Sequence, residues 1–137
     1  MVKSIIKDVN FLKIKSTLVT KDDVYLYDDL IDTLKFNHKR CVGMAANMIG
    51  VSKRAIIFED EDKKYVVMFN PVIIKKADEY EAVEACLSLD GVRKTKRYKK
   101  IKVEYYTKDF SKRIKTYSGF VAQIILHEMD HLDGIII

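Results

Sequence analysis

The stretch "LHEMDHLDGIII", residues 126–137, constrains this chain more than any other. It contains H-E-x-x-H, with His127 and His131 four residues apart. On an α-helix that spacing sets both imidazoles on one face, one turn apart, where they can share a cation. Glu128 starts beside the first histidine. A carboxylate there can take a proton from water acidified by a divalent metal and deliver it again. The plain alternative is a helix with two surface histidines. It accounts poorly for two of the chain's three histidines bracketing a glutamate in an otherwise apolar segment. The pattern predicts a helix from Gly119 or Phe120 to Leu132, with Gly134 placed to end it. The "GIII" that follows has the composition of a short terminal strand.

Such a site needs a third protein ligand. Many metalloproteases supply it downstream, as the histidine of H-E-x-x-H-x-x-G-x-x-H or as a more distant glutamate. Gly134 matches the glycine of that pattern, but Ile137 stands at the histidine position and no glutamate follows within these 137 residues. The expectation is an upstream ligand, drawn from Cys41, Cys86, His38 and the upstream carboxylates. Cysteine and histidine suit zinc and ferrous iron. Taken alone, Cys86 in "VEACLSLDG" reads as a small core residue. "CVGMAANMIG" (41–50) combines Gly43 with Ala45 and Ala46, a backbone with little side-chain cover. It permits close approach of a ligand, and a tightly packed helix start would look the same.

The remainder reads as α+β. "KDDVYLYDDLIDTLKFN" predicts a helix over 22–36, capped by Asp22 or Asp23, with Val24, Tyr27, Ile31 and Leu34 on one face. "RAIIFE" (54–59) and "YVVMF" (65–69) flank the turn "DEDKK" as a hairpin. "NPVIIKK" begins another extended segment. "KIKVEYYT" (100–107) and "KRIKTYS" (112–118) form a second hairpin. Hairpins with two helices, and no βαβ alternation, indicate antiparallel sheet packed around the C-terminal helix. At 137 residues and 48% hydrophobic, residues 1–137 are expected to form one domain. With two cysteines, no membrane-length apolar run and no signal-peptide pattern, a cytoplasmic setting is expected. The stretch "RKTKRYKKIK" (93–102) holds seven basic residues and no acid. The rest has 18 basic against 20 acidic, so the net charge of +5 is local. The plain reading is a solvated strand pair with lysines on its open face. A functional one is attraction of ribosome, nucleic acid or an acidic peptide. Only Tyr98 offers a stacking ring, so sequence-specific nucleic-acid binding is not expected.

Three stretches in order, C-V-G-M-A-A-N-M, E-A-C-L-S and H-E-M-D-H, resemble the motifs of the peptide deformylase family, G-Φ-G-Φ-A-A-x-Q, E-G-C-L-S and H-E-x-D-H. The resemblance implies that Cys86, His127 and His131 bind one divalent metal, ferrous iron in the cell and zinc or nickel in a purified sample. It implies Glu128 as general acid/base and the Leu87 backbone N–H as a donor to the oxyanion. The substrate is then the N-formyl group of formyl-methionyl peptides. Gly43 would hold the peptide as an added strand, and Val42, Phe120 and Ile124 would line the methionine pocket. Arg93 would lie near the rest of the peptide, and Arg97 would pair with Glu84. The protein would act as a monomer, with the ribosome as a further partner for its basic stretch. The chain departs from the family at Cys41 and Ala85, which replace glycines, and at Met48, which replaces the glutamine that donates to the oxyanion. Two readings follow: a deformylase with reduced activity, or a paralogue of the same fold that grips metal and peptide with little catalysis.

Overall fold

The computed structural model describes residues 1–86 and 89–135. The Leu87 donor and the last two residues of the terminal segment lie outside them. Five antiparallel strands make one sheet in the order β1-β2-β3-β4-β5: Gly43–Ala45, Ala55–Glu59, Tyr65–Cys86, Leu89–Tyr106 and Lys112–Ser118. Among the described residues three α-helices accompany them: α1 (Val9–Leu12), α2 (Leu26–Phe36) and α3 (Gly119–Leu132). This is the α+β arrangement that the hairpin pattern implies. Among the described residues no helix is long and apolar enough to cross a membrane.

The β2–β3 hairpin closes where expected, with Glu59 opposite Tyr65. Asp60 builds its turn by accepting the backbone N–H groups of Asp62 and Lys64, each at 2.9 Å. Asn70 and Pro71 do not begin a separate strand. β3 runs through them, with Asn70 at φ 50° and register shifts on either side of Val72 and Ile73. The side-chain amide of Asn70 bonds both the N–H and the C=O of Val19, which fixes this irregular point against the N-terminal segment. β3 and β4 then continue as a long ribbon, Glu79 opposite Tyr98 and Glu84 opposite Arg93. The basic stretch 93–102 therefore lies on β4, with Arg93 opposite Glu84 and Lys96 opposite Glu81, but Lys102 opposite Lys75. A further register shift falls between Ala85 and Cys86. Such bulges bend a strand and re-aim its side chains, here at the cysteine.

The predicted helix over 22–36 is shorter. A 3-10 turn, Lys21–Asp23, precedes α2, and no aspartate caps it. Asp23 instead turns back to accept the Thr20 N–H at 2.8 Å and lies 3.5 Å from Lys53. The buried face is Leu26, Leu30, Thr33 and Leu34, whereas Val24, Tyr27 and Ile31 are only half-buried. Starting the helix later selects a neighbouring stripe of the same sequence. β2 is buried along Ala55–Phe58, because α2 and α3 pack over it. α3 also lies against β1, β4 and β5. The chemistry-bearing helix is thus seated at the centre of the molecule rather than on its rim.

Candidate active site

α3 presents Ile124, His127, Glu128 and His131 to the interior, all at most 7% exposed. Close packing against β1 depends on Gly43. A Cβ there would stand 2.6 Å from Ile124 Cγ2 and 3.0 Å from Glu128 Oε2. The small backbone of the first unusual stretch therefore serves close approach of a helix, with the Glu128 carboxylate against it.

His127 Nδ1 lies 2.6 Å from Glu84 Oε1. Donation of Nδ1–H to that carboxylate leaves Nε2 as the basic nitrogen. It sits 3.2 Å from Nε2 of His131. Two lone pairs cannot face one another that closely without a proton or a cation between them. Two nitrogens on a tetrahedral zinc, at about 2.0–2.1 Å from it, would be about 3.3–3.4 Å apart. Half-buried Cys86 completes the group: the ligating atoms of Cys86, His127 and His131 all lie within 4.8 Å of one another. Donor set and spacing both fit one soft or borderline divalent cation. His38 is exposed and bonds the Lys35 carbonyl on α2, away from this group. Cys41 is near but points elsewhere, its thiol donating to the Gly43 carbonyl at 2.7 Å.

A second layer orients the histidines. Glu84 accepts from Arg97 Nε at 2.9 Å, Arg97 Nη2 at 2.7 Å and Gln123 Nε2 at 2.9 Å as well as from His127. Burial alone would raise this carboxyl; the bonds to His127, Arg97 and Gln123 outweigh it and hold Glu84 down at about 2. Arg97 also bonds Asp130 of α3 at 2.7 Å, so one guanidinium ties β4 to β3 and to the helix. The two imidazoles are pushed apart. Burial would lower His127, but its bonds to Cys86 and Glu84 raise it to about 10. Burial, then the charge of His127, lowers His131 to about 3. Near neutrality the pair therefore carries one positive charge, on His127.

Glu128 has no such support. Burial pushes its carboxyl up to about 7, and its Oε1 has no hydrogen-bond partner among the described residues. A cavity of about 240 Å³ opens in front of it. Val42, Gly43, Met48, Cys86, Phe120, Ile124, His127 and Glu128 all line this space, drawn from β1 and the residue before it, β3, α3 and the 3-10 turn Ala46–Ile49. His131 lies behind that wall. Arg93 lies one strand back, opposite Glu84, and does not line the cavity. Met48 is buried, with its sulfur accepting the Ala45 N–H at 3.4 Å. Two participants carried no signal beyond ordinary polarity in the sequence. Gln123 braces Glu84, and Asn47 donates to the His131 carbonyl at 2.8 Å. Helical spacing puts Gln123 one turn before His127, which is the trace that could have exposed it.

Known proteins resemble this chain in both sequence and fold. The sequence model of the polypeptide deformylase family matches residues 3–137. The peptide deformylase of Clostridium beijerinckii is 55% identical over 137 residues, the whole of both chains. A class I type b peptide deformylase from Acinetobacter baumannii superposes with a TM-score of 0.89 at 31% identity, covering 99% of this chain and 97% of that one. A structure of it with Met-Ala-Ser bound gives 0.88 at 29% identity, with the same coverage. Fold, metal-ligand cluster and sequence agree, and the chain belongs to the peptide deformylase family of hydrolases.

Proposed function

We propose that this protein hydrolyses the N-formyl group of formyl-methionyl peptides, releasing formate and a free amine. The observation that carries the reading is Glu128: a buried carboxyl with an unpartnered oxygen, facing a cavity beside the Cys86–His127–His131 cluster. Held by those three residues, a divalent cation would acidify water and polarise the amide carbonyl. The chain's own groups do the rest. Glu128, near 7, takes a proton from the attacking water at Oε1 and returns it to the departing nitrogen. Gly43, on the edge strand β1, offers backbone groups to an extended peptide. Val42, Phe120 and Ile124 give the methionine side chain an apolar wall. The Leu87 N–H supplies the backbone donor to the oxyanion. In this reading the ion in the cell is ferrous iron, replaced by zinc or nickel on purification. Residues 1–137 work as one monomeric domain in the cytoplasm, and the lysines of β4 favour the ribosome surface.

Formate release from a formyl-Met peptide under oxygen-free conditions tests this. The parent should turn over. Glu128→Gln should keep the metal and lose rate by about 10²–10⁴, the usual worth of a general acid/base. Equal turnover in the two proteins removes Glu128 from the reaction. The second reading, a binding paralogue, draws on Met48, which faces the cavity without an N–H to offer. Tight peptide binding with no formate released would favour it.

A further inference from the structure

We propose that Arg40 selects substrates, favouring formyl-Met peptides with acidic residues at their third and fourth positions. The inference rests on the deformylase reading and concerns what lies beyond the methionine.

Arg40 lines the cavity and is exposed to solvent. Its backbone N–H bonds the Asn37 carbonyl at 2.9 Å, which fixes where the side chain starts. The guanidinium reaches only a neutral group, Asn37 Oδ1 at 3.2 Å, and no carboxylate among the described residues pairs with it. No acidic residue occurs between Asp32 and Glu59, while Lys35, Lys39 and Arg40 all do. The other charged groups on the wall are committed. Glu84 is held by Arg97, Gln123 and His127, and Glu128 is buried on the floor. Val42, Val83 and Phe120 make the exposed rim apolar. Arg40 is therefore a cation on the wall of a peptide-sized opening that no carboxylate of the described residues answers.

Strand geometry says which part of a peptide it meets. β1 is an edge strand. The Glu59 N–H bonds the Val42 carbonyl at 2.9 Å, and Gly43 lies opposite Phe58. In antiparallel alternation the polar groups of Gly43 then turn away from β2, toward an added strand. The Glu128 carboxyl packs on Gly43, so the amide to be cleaved lies beside that residue. β1 begins at Gly43 and Arg40 lies in the turn before it, so a peptide pairing antiparallel to β1 leaves the strand on the side of Arg40. Methionine falls near Gly43, and the residues after it, the third and fourth above all, pass the stretch of cavity wall that carries Arg40.

The test uses formyl-Met-Ala-Asp-Asp-amide and formyl-Met-Ala-Lys-Lys-amide, whose blocked ends add no charge. At low salt the parent should favour the acidic peptide by about two- to fivefold in kcat/KM, the scale of one exposed ion pair. The difference should sit in KM and shrink at high ionic strength. Arg40→Glu should invert the preference and Arg40→Gln should flatten it. The same ratio in Arg40→Glu as in the parent overturns the proposal. If the parent cleaves neither peptide, the deformylase reading fails instead. Calorimetry of the deformylated products Met-Ala-Asp-Asp-amide and Met-Ala-Lys-Lys-amide then decides the role of Arg40. A preference for the acidic product that Arg40→Glu loses supports it, and equal affinities in the parent end it.

Discussion

Met48 is the residue whose chemistry least suits its place. It lines the cavity, is 1% exposed, and directs its sulfur at the Ala45 N–H. A thioether accepts weakly and donates nothing. Glutamine has nearly the same length. In the same rotamer its carbonyl oxygen can take over the Ala45 N–H, which leaves the amide NH₂ to point into the cavity. Met48→Gln should therefore pack without strain and add one donor where negative charge develops. The expected gain in kcat is about 10²–10³, the usual worth of one oxyanion donor. Peptide affinity should change far less, because the bond strengthens in the transition state. Steady-state kinetics on a formyl-Met peptide at equal metal content checks this. An unchanged kcat would show that the amide does not reach the oxyanion.

The element that decides the site is α3, and its C-terminal end is clamped from three sides. Asn47 holds the His131 carbonyl, while the Ser16 N–H at 2.8 Å and Arg54 Nη1 at 3.2 Å hold that of Leu132. Gly134 closes the helix at φ 74°, against the backbone of Lys13. A Cβ there would lie 2.2 Å from the Lys13 carbonyl oxygen, an overlap that only backbone movement relieves. Gly134→Ala should cost at least about 1–3 kcal/mol, from left-handed strain and overpacking together. Thermal melting should fall, and metal retention with it, since His131 lies three residues away. A parent-like melting curve would mean that this end of α3 yields freely. The helix and this glycine were legible in the sequence because spacing and a terminating residue coincide there. α2 was legible as a helix, but of its expected face only Leu34 is fully buried: Leu26 and Leu30 alternate with Tyr27 and Ile31, and only tertiary packing chooses between the stripes. On the distal β3–β4 ribbon the basic stretch of β4 was legible as part of a solvated strand pair, whereas its partner on β3 beyond Lys76 was not legible as strand. Charged residues are spread through both strands there, and cross-strand pairing rather than an apolar face holds them.

At the scale of the whole molecule, the cation site joins parts that are far apart in the chain. Cys86 ends β3, and the two histidines lie on α3, 41 and 45 residues later. A cation bound by all three has no equivalent site in the unfolded chain, so its binding free energy adds to folding stability. At free metal 100 times the dissociation constant the gain is about 2.7 kcal/mol. For a protein of this size that is a rise in Tm on the order of 10 °C. Chelation should remove it and added zinc should restore it. The dependence on pH has a definite sign. Without a cation His127 keeps a proton up to about 10, through its bonds to Cys86 and Glu84. Binding near neutrality must displace that proton, so the metal-dependent part of Tm should grow as pH rises from about 6 to 8. His131→Ala should abolish the zinc-dependent rise, and Glu128→Gln should leave it in place, because Glu128 stands beside the cluster without belonging to it. Scanning calorimetry of the three proteins with zinc and with chelator separates these outcomes. A zinc-dependent rise that survives in His131→Ala would place the cation elsewhere.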